Sequence, residues 1–349
     1  MTPRALLDRR LRSHRLTAPA ATVTDAAHHM LAVQSQDLLA GRWALGVRTK
    51  GAPTIATVDA AFARGELVRA WTMRGTLHIV PARDLAWILS VTGDRQRRQA
   101  AGRHRELGVD DAVLATASRV LAPALRDGGC TRAEAFAVLE GAGIDPKGQR
   151  GTHLLFALTI AGEICQGPIE PAARGIAREQ RFMLVEDWIG DTDAPADPLA
   201  ELFARYIAGH GPAGVADFAW WAGLTLGQAR EAADRARDRV DRIDEARFAA
   251  AQSPRRSPGA PEAVALPAFD EYYISYAERT AVCAPEHLAT VGPGKNGMVR
   301  PTLVHRGRVV GTWSHADATR GEPPVLFDDD PDGDALARAV ARFAHFVDG

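Results

Sequence analysis

The sequence predicts a mostly helical α+β protein: three tandem winged-helix units with short β wings, then a C-terminal β-rich module. Three observations lead there. The chain is rich in Ala and only 6% aromatic, a composition that favours helices. Helical groups recur in three cycles of similar length and order, the first two closing on strand-like pairs. Beyond Pro261 the pattern changes to short strands and turns. A chain of 349 residues also exceeds what one small core organises. The expected partition is 1–108, 109–194 and 195–258 for the three units and 259–349 for the module.

Residues 2–15 read as a short basic helix. Thr24 is expected to cap a helix from Asp25 to about Gln34. A further helix over 58–64 stops at Gly65, and strands at 67–71 and 76–80 flank Met73-Arg74-Gly75, completing the first helix-and-hairpin group. Pro81 opens a helix over 82–91, followed by a segment carrying Arg95, Arg97, Arg98, Arg103 and Arg105. In the second cycle, helices are expected at 111–126 and 153–161. Thr131 with Glu134 three residues on forms a capped helix start, and strands are expected near 162–167 and 182–185. The third cycle has helices at 199–209 and 214–224, then one over 226–237 capped by Thr225. The Pro-, Arg- and Ser-rich stretch 254–261 reads as a linker. Strands at 299–304 and 309–313 are joined through His305-Arg306-Gly307-Arg308, and 334–348 is an amphipathic helix.

Charge is split along the chain. Residues 1–105 hold 17 Arg and Lys against 7 Asp and Glu, a net of +10; the whole chain sums to −1, so 106–349 carries −11. The basic third points to an anionic partner. Only Lys50, Lys147 and Lys295 are lysines, and the other 39 basic residues are Arg, whose planar fork suits phosphates. Cys130, Cys165 and Cys283 are far apart with no CxxC pair, which gives neither a disulfide framework nor a zinc site. His28 and His29 are neighbours on a helix and point apart, so no metal is expected. The chain starts Met1-Thr2-Pro3-Arg4 and enters a charged helix, not an apolar signal segment, and no run of about 18 apolar residues is present. A soluble, cytoplasmic protein is expected.

Four motifs carry a resemblance: Gln34-Ser35-Gln36, Trp71-Thr72-Met73-Arg74-Gly75-Thr76-Leu77-His78, Asp217-Phe218-Ala219-Trp220-Trp221-Ala222-Gly223-Leu224 and Gly297-Met298-Val299-Arg300-Pro301-Thr302-Leu303. In that order they make the chain similar to the winged-helix DNA glycosylases of the AlkZ and YcaQ type, over nearly its whole length. The resemblance implies three stacked winged helices and a C-terminal β-rich module. It implies removal of bulky alkylated purines from DNA, interstrand crosslinks included, in repair or in self-resistance to a genotoxic natural product. The family's catalytic pair is Gln-x-Gln in one branch and Gln-x-Asp in the other. Gln34 and Gln36 match the first, so the resemblance implies that these two are catalytic.

The residues themselves allow that chemistry. A purine alkylated at N7 or N3 is cationic and leaves without much help from an acid. Two amides can then stabilise the developing sugar cation and place a water. In a continuous helix residues two apart do not share a face, so a helix reaching Gln34 would have to loosen there. The plain alternative is two solvated glutamines at a helix end. Asp37 reads as a cap for the next segment. Arg74 and His78 could bind phosphate or line the pocket, and Arg95, Arg97 and Arg98 are candidate phosphate contacts. Lys295-Asn296-Gly297 is a turn signal whose protrusion could enter a groove, with Lys295, Asn296 and Arg300 on DNA and Met298 as an apolar wedge. Trp220 and Trp221 read as core and interface residues. Apart from Lys50 no lysine is near these motifs for a Schiff base, so a monofunctional enzyme without cofactor is expected. The expected partner is double-stranded DNA carrying alkylated purines, bound by a monomer with no membrane association. Two other classes fit a winged-helix chain: a DNA-binding regulator, and a lesion-binding protein that shields DNA without cutting it.

Overall fold

Thr2 starts the first helix: its hydroxyl accepts from the Ala5 amide, and Pro3 supplies a preset φ in the first turn. The computed structural model describes residues 1–327 and 332–349. After α1 (Pro3–Ser13) comes α2 (Val23–Met30). Its cap is Thr22, not Thr24. The Thr22 hydroxyl accepts from the Asp25 amide at 3.0 Å, and the Asp25 carboxylate accepts from the Thr22 amide at 3.2 Å. This reciprocal pair satisfies two otherwise orphaned donors at once. The helix also ends earlier than expected. Leu31 takes φ 64° and ψ −50°, and the Ala32 amide donates to the Met30 carbonyl at 2.8 Å, a γ-turn that takes the chain out of the helix before it reaches Gln34. The backbone then runs extended, with β1 at Val33–Gln34. Asp37 caps α3 (Leu38–Gly46), its Oδ1 accepting from the Ala40 amide at 2.8 Å. All nine residues of α3 are buried, as a helix apolar all round requires. The next helix, α4 (Ile55–Ala63), starts three residues before its expected position.

The chain divides into two compact units: Met1–Val58 with Leu199–Gly349, and Asp59–Pro198. The inserted unit, Asp59–Pro198, contains β2 (Leu67–Met73) and β3 (Thr76–Pro81), an antiparallel hairpin with Ala70 opposite His78. Arg74 and Gly75 both have positive φ at its tip, the backbone that a tight two-residue turn needs. Next, α5 (Leu85–Glu106) runs 22 residues, so the arginine run lies on the continuation of the helix expected to stop at Val91. Gly93 does not break it. A Cβ there would sit 3.2 Å from the Ile160 carbonyl, so this glycine permits a close approach. Then come α6 (Asp111–Arg126), α7 (Arg132–Gly141), α8 (Arg150–Ile160), β4 (Ile164–Glu170), β5 (Glu179–Leu184) and α9 (Val185–Trp188). The Thr131–Glu134 capping box forms as its spacing predicts. Strands β3, β2, β4 and β5 lie side by side in that order, all antiparallel. Leu121, Leu125, Leu139, Leu154, Leu158 and Phe182 share a core with Trp71 and Leu77 of the hairpin.

The other unit resumes with α10 (Pro198–His210), α11 (Val215–Ala222) and α12 (Leu226–Arg235), the last started by a Thr225–Gln228 capping box. A short hairpin comes next, β6 (Val240–Arg242) with β7 (Phe248–Ala250). The stretch 254–261 has no regular element, yet it is tied down, since the Ser257 amide donates to the Thr17 carbonyl at 2.8 Å. Beyond it are β8 (Ala263–Leu266), α13 (Glu271–Ile274), α14 (Leu288–Val291), β9 (Thr302–His305), β10 (Arg308–Thr312), α15 (His315–Arg320), β11 (Val325–Leu326) and α16 (Gly333–Asp348). Strands β11, β10, β9 and β8 form an antiparallel sheet in that order. Arg306 and Gly307 make the predicted tight turn between β9 and β10.

Amphipathic α16 buries Leu336, Ala339, Phe343 and Phe346. Both phenylalanine rings meet Trp43 of α3, at 5.6 and 5.1 Å between centroids. The Trp43 indole donates to the Ala265 carbonyl of β8, which satisfies its one polar atom. The helix-dominated α+β class therefore holds.

Candidate active site

Gln34 and Gln36 belong to the unit formed by Met1–Val58 and Leu199–Gly349. They lie on the non-helical stretch between Leu31, where α2 ends, and Asp37, where α3 is capped; Gln34 ends β1 and Gln36 follows at a bend. The helix therefore poses no geometric obstacle to the pair. Gln34 is buried at 7% exposure, Ser35 is fully buried, and Gln36 is exposed. One amide is thus held in the protein and its neighbour meets solvent.

The support for this segment comes from far away in the sequence. The Gln34 backbone N–H donates to Glu271 Oε1 at 2.7 Å. The other oxygen, Oε2, accepts from the Trp221 indole N–H at 3.0 Å and from the Ser275 hydroxyl at 2.5 Å. Glu271 is fully buried. It sits on the one-turn helix α13, capped by its neighbour Asp270, whose Oδ1 accepts from the Tyr272 amide. Asp270 in turn takes both Nη atoms of Arg48, each at 2.8 Å, with both side chains out of solvent. Arg48 lies just beyond α3 and also donates to the Ala44 carbonyl of that helix. Asp270 and Glu271 therefore fix both sides of the glutamine segment: Glu271 holds the strand, and Asp270 holds the helix after it.

Rings pack around this pair. His14, Tyr206, Tyr272, Tyr276, His210 and Trp221 are all fully or almost fully buried. Tyr206 stacks on His210 at 4.9 Å, and His210 lies 5.1 Å from Trp221. The Tyr276 hydroxyl donates to the His210 carbonyl at 2.7 Å, so it accepts from His14 Nε2, also at 2.7 Å. Burial, with His210, Arg48 and Arg10 nearby, holds His14 well below the usual imidazole range, and it stays neutral. Burial likewise pushes the Tyr272 and Tyr276 hydroxyls well up. His14, Tyr272 and Tyr276 therefore do not exchange protons near neutral pH.

Sequence reasoning missed Arg48, Asp270, Glu271 and this ring cluster. A signal was present: three of the chain's four tyrosines fall at 272, 273 and 276, directly after an Asp-Glu pair.

The remaining candidates divide between the units. Arg74, His78, Arg95, Arg97 and Arg98 belong to Asp59–Pro198; Lys295, Asn296, Met298 and Arg300 belong to the unit that carries the glutamines. His78 is not a surface residue. It is fully buried, with Nδ1 3.0 Å from the Thr72 hydroxyl, on a strand whose residues from Leu77 onward are all buried. Arg74 is half-buried at the hairpin tip. Arg97 and Arg98 are exposed on α5 and Arg95 is half-buried there, and Arg97 pairs with Asp94 at 2.8 Å. Residues 292–297 do not form the turn of a hairpin, since helix α14 precedes them and β9 begins only at Thr302. The loop is closed by its own backbone bonds, Gly294 N–H to the Met298 carbonyl and Gly297 N–H to the Gly294 carbonyl, and the Tyr273 hydroxyl holds the Gly292 carbonyl at 2.7 Å. Lys295, Asn296 and Arg300 are exposed, and Met298 is 50% exposed. The tryptophan pair splits: Trp221 is core, while Trp220 is 43% exposed with the Arg279 guanidinium 5.1 Å above its ring.

A curated relative, the interstrand DNA cross-link repair glycosylase of Streptomyces sahachiroi, is 25% identical over 321 residues, which span 86% of this chain and 84% of the relative. The solved structure of the Streptomyces sahachiroi DNA glycosylase AlkZ shares the fold, with a TM-score of 0.79 at 21% identity, covering 100% of this chain and 97% of that one. The family model described as DNA glycosylase AlkZ-like matches residues 27–346. A match of that extent includes the Gln34-Ser35-Gln36 segment and the Asp270–Glu271 support alike, and the chain belongs to the AlkZ-like DNA glycosylase family.

Proposed function

We propose that this DNA glycosylase is monofunctional and releases N7- and N3-alkylated purines, bulky and crosslinked ones included, from double-stranded DNA. Gln34 and Gln36 are the catalytic pair in this reading. The observation that carries it is the amide pair on a short non-helical segment, held between a buried carboxyl and a capped helix. An alkylated purine already bears positive charge. When the C1′–N bond breaks, its electron pair goes to the purine and neutralises it, so no strong acid is needed. The sugar is left with oxocarbenium character, and water adds at C1′ and loses a proton to solvent. Amide oxygens stabilise the cation and orient the water, and amide NH2 groups hold the water from its other side. The name of the Streptomyces sahachiroi relative supports extending the substrates to interstrand crosslinks. A soluble, cytoplasmic monomer of three winged-helix units and a C-terminal β-rich module fits this reading. Among the described residues no helix is long and apolar enough to cross a membrane.

The test is incubation with duplexes carrying N7-alkylguanine, a defined interstrand crosslink, or the neutral lesion 1,N6-ethenoadenine. Expected are released base and alkali-labile abasic sites from the first two, with no strand cleavage before alkali, and poor release from the third. Binding without abasic sites from any cationic lesion would overturn the reading in favour of a regulator or a shielding protein.

Arg74, Arg95, Arg97 and Arg98 contact phosphates in the same reading, as do Lys295, Asn296 and Arg300, with Met298 as a wedge. The exposure of Arg97, Arg98, Lys295, Asn296, Met298 and Arg300 and the +10 balance of residues 1–105 support this. Neutralising Arg95, Arg97 and Arg98 together is expected to weaken binding equally on all duplex sequences. It should flatten the salt dependence by roughly one log unit of affinity per log unit of salt for each phosphate no longer neutralised. An unchanged slope would remove the three from the interface.

A further inference from the structure

We infer that Glu271 is the positioning residue of Gln34: it sets the strand from which the Gln34 amide works. This rests on the reading of Gln34 as catalytic. Gln34 ends a two-residue strand, and it comes just after a γ-turn centred on Leu31. Its N–H reaches a carboxyl oxygen at 2.7 Å, a shorter and stronger kind of bond than a main-chain carbonyl gives. That oxygen cannot swing away. The second oxygen of the same group is committed to the Trp221 indole and the Ser275 hydroxyl, and His210 Nε2 stands 3.7 Å from it. Trp221 fixes the carboxyl to α11, and Ser275 fixes it to the end of its own helix. The Asp270–Arg48 pair fixes that helix to the chain just beyond α3.

A buried carboxyl is a poor means of gaining stability, since apolar packing of the same volume does as well or better. Its advantage is directional: a fully committed acceptor specifies where one N–H lies. Displacement of a reacting group by about 1 Å can cost on the order of a hundredfold in rate, so specification of that kind matters at a catalytic amide.

The experiment is a double-mutant cycle on the full chain, read as the single-turnover release of N7-alkylguanine from duplex DNA. In Glu271→Gln the volume is kept, but one oxygen must now serve either Gln34 or the Trp221 and Ser275 donors. The expected result is a fall on the order of thirtyfold in release rate, with affinity for the same duplex within about twofold of wild type. In the Gln34→Ala background the same change should have no further effect, because the group it positions is gone. Equal factors in both backgrounds, or affinity falling in step with rate, would assign Glu271 a merely structural role and overturn the inference. So would a wild-type rate in Glu271→Gln while Gln34→Ala is slow. A wild-type rate in Gln34→Ala would instead sink the catalytic reading of Gln34, and this inference with it. If circular dichroism shows that Glu271→Gln does not fold, Ser275→Ala carries the same cycle. It removes one donor from Oε2 and leaves the carboxyl, with an expected fall of about fivefold that also vanishes without Gln34.

Discussion

Replacing Gln34 and Gln36 together by Ala is expected to abolish release of alkylated purine while leaving the fold and DNA affinity intact. Each amide offers a donor pair and an acceptor to a preorganised site, and losing one such group costs about 3 kcal/mol in the transition state, on the order of a hundredfold in rate. The two single variants are expected to differ. Gln34 is buried and backbone-fixed, so its truncation also opens a cavity beside Ser35. Gln36 is exposed, and its loss should leave the thermal midpoint unchanged. Affinity for undamaged duplex should stay near wild type, since phosphate contacts supply it. Gln36→Asp mimics the other branch of the family and should change the preference among lesions without stopping turnover. The measurement is base release under single-turnover conditions, with circular dichroism as the control for folding. Wild-type release by the double variant would exclude both residues from the chemistry.

The second large effect concerns stability. Asp270→Ala is expected to cost about 3–5 kcal/mol, because it leaves the Arg48 guanidinium buried without its carboxylate. The pair is bidentate, 2.8 Å on each arm, and both side chains are at most 1% exposed. Replacing both partners by apolar residues, Arg48→Met with Asp270→Leu, should cost less than Asp270→Ala alone, since no charge is then stranded. Equilibrium urea unfolding of the three proteins checks this. An Asp270→Ala variant within about 1 kcal/mol of wild type, on the order of the cost of an ordinary surface change, would show that Arg48 finds another way to be solvated.

Much of the local chemistry was readable from the sequence, although the cap of α2 is Thr22 where Thr24 was expected. Thr131 with Glu134, Thr225 with Gln228 and Asp37 before Leu38 are caps because their side chains reach amides three residues on. Arg306-Gly307 turns because both residues adopt positive φ. The end of α2 was not readable. No Gly or Asn marks it, and a fully buried leucine at φ 64° is imposed by tertiary packing against its own preference. The extension of α5 past Val91 was not readable either, and Gly93 within it is a small residue placed for packing inside a long helix. At the candidate site the glutamine pair stood out through its family motif and not through its periodicity. Glu271 carries no such mark: a single acid among tyrosines acquires its role only when a separation of 237 residues has been folded back.

That separation in sequence is also a separation in time. Chains emerge from the ribosome at about 5–20 residues per second, so the acceptor of the Gln34 amide appears on the order of 10–50 seconds after the glutamine itself. During that interval all of Asp59–Pro198 is synthesised, a contiguous unit with its own core, while residues 1–58 still lack the chain that completes their unit. The pairing that organises the glutamines is thus among the last long-range contacts available to the nascent protein, and closing so distant a loop is intrinsically slow. A translation product cut short before residue 271 carries both glutamines and the whole basic third, yet not the carboxyl that orders them. In the reading proposed above, its arginines are present before the carboxyl that positions Gln34.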